Sequence, residues 1–169
     1  MKKIVLIILV TPIVLFSQNL SNLKFQNLSG NTVTIKDHLA NDATIVLFWA
    51  TWCIPCKEEF PVIQKLTQKY EDKKIKVIAI SQDSPRSLAK VKSYTRTHDY
   101  GFMYLTDQKE IAKSKLLVTS VPFTMLLNKQ GKVIYNHSGY LPGDEKELEQ
   151  HILKLWEQKE KMQSEGKIE

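Results

Sequence analysis

Cysteine is scarce in this chain. There are two in 169 residues, Cys53 and Cys56, with two residues between them. Two are too few for a disulfide-stapled scaffold. A chain of this length, 43% apolar and 25% charged, builds a core without staples. Histidine is sparse as well: His38, His98, His137 and His151 are scattered, so the second half of a four-ligand zinc set is missing. Lys57 follows Cys56, which removes the C-x-x-C-H pattern of covalent haem attachment. There is no internal repeat, no low-complexity linker and no sign of a second domain. The net charge of +6 is spread among acids rather than gathered into a stripe, which gives no nucleic-acid signal.

A long apolar run is missing too. Ile4 to Phe16 is apolar except for Thr11 and Pro12, follows Lys2 and Lys3, and precedes Ser17, Gln18 and Asn19. The run is short for a bilayer span and has the layout of a secretory signal over residues 1–17. Leu15, three residues before a cut after Ser17, is bulkier than the usual small residue, so a retained anchor is the alternative. Without residues 1–17 the net charge is +4. An exported chain sits where disulfides form and persist. The expected location is therefore the periplasm or cell envelope, with one domain over residues 18–158 and a charged, frayed tail over 159–169.

The remaining pattern alternates strands and helices. Leu23–Gln26 and Thr32–Ile35 flank "NLSGN" and predict a hairpin. Thr44–Trp49 is a continuous apolar run, as in a strand buried on both faces. From about Ile54 the apolar residues Phe60, Ile63, Leu66 and Tyr70 recur at helical steps, with Pro61 expected to kink the helix. Ile75–Ile80 is a second buried strand, completing a parallel βαβ unit. Ser84-Pro85 predicts a helix start, with Ser84 as N-cap. Phe102–Leu105 is a short strand. Asp107 and Glu110 have capping-box spacing for a short helix to about Leu116. Phe123–Leu127 and Lys132–His137 are strands joined by "NKQG". Asp144 and Glu147 open a last helix with Leu148, Ile152, Leu155 and Trp156 inward, and the chain should fray after Trp156.

The cysteine pair lies where the buried strand hands over to the helix. Free N–H groups and the dipole at a helix N-terminus favour an anion. They lower the pKa of a thiol at Cys53, and the thiolate is the species that attacks a disulfide. Cys56, one turn in and more sheltered, is placed to resolve the mixed disulfide. A staple across two intervening residues stabilises little. Pro55 stiffens the loop. Trp49 belongs to the core, while Trp52 either packs inward or docks a protein partner.

With these residues in view, the sequence resembles thioredoxin-fold proteins, and among them the exported TlpA/ResA-like reductases. "FWATWCIPC" at 48–56, "EEFP" at 58–61 and "SVPFTMLLNKQGKVI" at 120–134 carry the likeness, which covers about residues 20–156. It implies an α/β thioredoxin-like fold: a central mixed β-sheet flanked by helices, with an N-terminal β-hairpin and a central βα insertion. It implies a thiol–disulfide oxidoreductase of the protein-disulfide reductase type that needs no cofactor. Its partners would be protein disulfides, with apocytochrome c as one candidate in cytochrome c maturation, and an electron-donating thiol–disulfide protein at the membrane. The resemblance makes Pro122 a cis-proline beside the cysteines and Val121 the residue that offers backbone to a substrate strand. Trp52, Ile54 and Pro55 complete the expected substrate contacts. Thioredoxin's buried aspartate is Leu47 here. The ResA-like group instead carries a glutamate three residues after the second cysteine, which is Glu59. It lies i+3 from Cys56, can share its face, and would handle the Cys56 proton. The alternatives are a copper chaperone, which needs Met103, Met125 and His137 to converge on the cysteines, and a non-catalytic scaffold. A peroxidase is disfavoured because Ala50 stands where those enzymes place a threonine.

Overall fold

The computed structural model describes residues 19–40 and 42–166. The expected signal or anchor at 1–17 lies outside them, as does the end of the tail. Among the described residues seven strands and four α-helices follow one another. They are β1 (Lys24–Asn27), β2 (Thr32–Thr34), β3 (Ala43–Trp49), α1 (Ile54–Lys69), β4 (Ile75–Ser81), α2 (Leu88–Thr97), β5 (Met103–Thr106), α3 (Ile111–Leu116), β6 (Phe123–Leu127), β7 (Val133–Ser138) and α4 (Glu145–Ser164). They form one sheet in the order β2-β1-β5-β4-β3-β6-β7. β3 pairs in parallel with β4, and β4 with β5; the pairs β3–β6, β6–β7, β1–β2 and β1–β5 are antiparallel.

β3 is buried along its whole length. Its side chains alternate between two cores. Ile45, Leu47 and Trp49 join Cys53, Cys56, Phe60 and Ile63 of the α1 side, with Leu148, Ile152 and Trp156 of α4. Val46 and Phe48 join Leu20, Ile35, Ala112, Leu116 and Met125 on the other face. Helices therefore cover both faces of a mixed sheet, the architecture expected from the pattern.

The β6–β7 turn depends on a glycine. Gly131 has φ +77°, and a Cβ there would meet the Cβ of Ser21 at 2.9 Å. Leu20 N–H donates to the Gly131 carbonyl at 2.8 Å, so the segment before β1 is tied to this turn. Asn128 Oδ1 accepts from Gln130 N–H and Lys132 N–H, each at 3.0 Å, which shapes the rest of "NKQG".

Four local expectations need correction. Ser84 caps nothing with its side chain: Pro85–Ser87 is a 3₁₀ turn, and α2 begins only at Leu88. Asp107 is a cap, but not in a capping box. Its carboxylate accepts from Ile111 N–H and Ala112 N–H, both at 2.7 Å, while Glu110 sits in the left-handed region at φ 49°. Asp144 makes no cap bond to α4; its carboxylate turns back to Leu141 N–H at 2.7 Å. The chain does not fray after Trp156, because α4 runs to Ser164. Trp156 Nε1 donates to the Asp42 carbonyl, and Lys159 pairs with the Asp42 carboxylate, so the later turns are anchored to the start of β3.

Candidate active site

The site starts at the end of β3. The chain leaves Trp49 and turns through 50–53, with Cys53 N–H donating to the Ala50 carbonyl at 3.0 Å. Asp83, just beyond β4, clamps this turn. Its buried carboxylate accepts from Thr51 N–H at 2.8 Å, Thr51 Oγ1 at 2.6 Å and Ser81 Oγ at 2.9 Å. The composition of the 51–56 stretch holds no hint of this anchor 32 residues away. Parallel pairing of Trp49 with Ser81 is what brings the two loops together.

Cys53 is the N-cap of α1, and Pro55 occupies the first turn, where its missing N–H is harmless. Cys53 Sγ accepts from Cys56 N–H at 3.2 Å. Cys53 and Cys56 are joined by a disulfide. Both are buried, Cys53 at 3% exposure and Cys56 at 0%, so the edge of the pair open to a partner belongs to Cys53. Trp52, Ile54 and Pro55 stand exposed around them. Trp49 is fully buried, against Phe60, Tyr94 and Tyr104. Of the two readings of Trp52, outward exposure holds.

The Val121–Pro122 peptide bond is cis. Phe123 pairs with Phe48, so β6 enters the sheet at the end where β3 leaves it, and Pro122 stands at the same edge as the cysteine turn. Val121 is half-buried and packs against the core that holds both cysteines.

Glu59 lies one turn beyond Cys56 and is 4% exposed. Thr124 Oγ1 donates to its Oε1 at 2.5 Å. Burial pushes the Glu59 carboxyl up to about 7; the Thr124 bond pulls the other way, and the charge of Asp144 adds to the rise. Glu58 is exposed, as helix geometry requires. Leu47 is buried in the core that holds both cysteines, and Glu59 is the buried acid next along α1 from Cys56. Sequence reasoning missed Thr124. The signal was a lone hydroxyl in the apolar run "FTMLL", two residues after Pro122 and therefore on the α1 face.

Met103 and Met125 lie with the core on the opposite side of the sheet from the cysteines. His137 is turned toward Asp144, with Nε2 and Oδ2 at 3.1 Å. The set required for a copper site is not assembled. Among the described residues no group of three or more His, Cys, Asp or Glu could hold a metal ion.

A mixed sheet between helices, a cysteine pair capping α1 and a cis-proline at the same edge define a thioredoxin-like protein. The AhpC/TSA family model matches residues 17–136, and the chain belongs to that family. It is 34% identical over 137 residues to the thioredoxin-like protein YneN of Bacillus subtilis, covering 80% of this chain and 77% of that one. It is 30% identical over 135 residues to the thiol-disulfide oxidoreductase ResA of Bacillus thuringiensis subsp. konkukian, covering 79% and 75%. Among solved structures, a thiol:disulfide interchange protein DsbE from Chlorobium tepidum superposes with a TM-score of 0.72 at 26% identity, covering 82% of this chain and 96% of that one. The chain is thus a thiol–disulfide oxidoreductase of the ResA/DsbE type.

Proposed function

We propose that this protein is an exported reductase of protein disulfides, working through Cys53 and Cys56. The observation that carries the reading is the place of the pair: Cys53 caps α1, where a thiolate is stabilised, and a buried carboxyl lies one turn past Cys56. In the reduced protein the Cys53 thiolate attacks a substrate disulfide. One substrate sulfur leaves as a thiolate and takes a proton from water. Glu59 takes the proton of Cys56, and the Cys56 thiolate attacks Cys53 Sγ. The second substrate thiolate leaves, and two electrons have passed to the substrate as the Cys53–Cys56 disulfide forms. An electron-donating dithiol protein returns the pair to the reduced state.

Trp52, Ile54 and Pro55 form the apolar rim on which a substrate chain would settle, and Val121 offers it backbone groups beside cis-Pro122. The thiol-disulfide oxidoreductase relatives support protein disulfides as the substrate class; apocytochrome c as the substrate and a redox donor at the membrane are the finer reading, drawn from the resemblance of the active-site segment. Export is supported by the N-terminal pattern; among the described residues no helix is long and apolar enough to cross a membrane.

The test has two arms. Reduced protein should reduce disulfides of model proteins, and Cys53→Ser should abolish this. Cys56→Ala, expressed in the source cell, should accumulate a mixed disulfide through Cys53. Identification of the trapped partner as an apocytochrome would support the substrate assignment. Full activity in Cys53→Ser would sink the mechanism.

A further inference from the structure

Glu59 must shed its proton after each turn of the cycle just described, yet it has almost no contact with bulk water. A cavity of about 10 Å³ adjoins it, lined among others by Thr124, His137, Tyr140 and Asp144. That volume is just enough to hold the centre of one water molecule, and Glu59 and His137 both line it, so a single water spans the gap between them. Thr124, which donates to Glu59, lies directly opposite His137 in the β6–β7 ladder. His137 in turn meets Asp144, and these two side chains are 33% and 30% exposed. A buried carboxyl, a one-water cavity and a solvent-reaching imidazole–carboxylate pair thus stand in sequence.

We infer that His137 and Asp144 form the outer end of a proton channel that connects Glu59 with solvent through the single water of this cavity. The inference rests on Glu59 acting as the proton acceptor of Cys56. In the oxidising half-cycle, Glu59 receives the Cys56 proton and passes it to the cavity water. That water releases a proton to the His137 imidazole, which gives it to bulk solvent. When the donor protein reduces the disulfide, the flow reverses and the departing Cys56 thiolate is protonated through the same groups. An imidazole has two ring nitrogens, so it can take a proton on one side and give one on the other, and Asp144 orients the ring.

Other titratable groups face this path. Tyr135 on β7 is pushed up to about 12 by burial, and burial raises Tyr140 as well, so neither phenol accepts the proton. Glu147 of α4 accepts from Tyr135, and His151 stacks on that ring. Glu145 lines the cavity from the start of α4, and Glu58 acts on Tyr140 from α1. Among the described residues that line the cavity, His137 is the one that lies opposite Thr124 in the ladder and meets a solvent-reaching carboxylate.

The experiment follows resolution of a preformed mixed disulfide at Cys53 by stopped flow, across pH and across concentrations of a small buffer such as imidazole. His137→Gln should slow resolution about a hundredfold more than it slows the first exchange at Cys53, the low end of what a proton-transfer group contributes. Added imidazole should restore the rate. Asp144→Asn provides a second variant, expected to move the pH profile the same way. The wild-type rate should be indifferent to buffer concentration. Slow resolution in His137→Gln that imidazole does not rescue, or an unchanged rate and pH profile, would overturn the channel. Glu59→Gln separates the two ideas. If it slows resolution while His137→Gln does not, only the channel falls. If it too leaves resolution unchanged, the role of Glu59 falls with it.

Discussion

Ionising Glu59 is harder in the folded chain than in the unfolded one, and this makes stability depend on pH. Its carboxyl stands at about 7 in the fold against an ordinary 4.5. Between those values the folded chain binds more protons than the unfolded chain. The contribution is therefore complete below the lower value and is lost as pH rises through the upper one. The difference corresponds to about 3 kcal/mol. Glu59→Gln keeps an oxygen for Thr124 and removes the titration. Urea unfolding of the two oxidised proteins should show the variant gaining about 3 kcal/mol on the wild type between roughly pH 4.5 and 8. A difference that stays flat across that range would contradict the buried carboxyl. Glu59 could be found in the sequence because the resemblance to the ResA-like group implies a glutamate three residues after the second cysteine, and helix spacing puts that position on the face of Cys56. Thr124 left only the trace of a lone hydroxyl in an apolar run, and His137 and Asp144 left none, because tertiary packing brings all three to Glu59 across 65 or more residues.

At the scale of elements, α3 is too short to hold itself together, with six residues and left-handed positions at both ends, Glu110 and Leu117. Its start relies on Asp107, which satisfies two N–H groups at once. Asp107→Ala should cost about 1–2 kcal/mol, the upper part of the range for a lost N-cap, read as a lower urea midpoint at unchanged slope. The sequence located this helix but gave Glu110 the wrong part in it, since spacing reports the residue types of a capping box and not the backbone angle at its fourth position. The same limit explains Ser84, whose Ser-Pro signal starts a 3₁₀ turn instead of α2. The strands β3, β4, β6 and β7 were legible to within a residue or two because their apolar runs are long and bounded by turn residues.

Across the whole molecule, α4 closes the α1 face, with Leu148, Ile152 and Trp156 in the cysteine core. Trp156 also stacks edge-on with Tyr70 at the far end of α1, at 5.1 Å between ring centres. Trp156→Ala should therefore destabilise the protein by about 3–5 kcal/mol and lower its thermal midpoint by many degrees. A loss under about 1 kcal/mol, the scale of a surface substitution, would show that α4 only rests on the domain. The length of α4 was hidden because its later turns carry mostly polar residues; Asp42, from the other end of the chain, holds them.

Cys53 is at once the N-cap of α1 and half of the disulfide on which the proposed cycle turns. An anionic sulfur is a stronger acceptor for Cys56 N–H than a disulfide sulfur. The first turn of α1 should consequently be tighter in the reduced protein than in the oxidised one, and slower hydrogen exchange at the Cys56 amide would then be a record, within the backbone itself, of where each molecule stands in the proposed cycle.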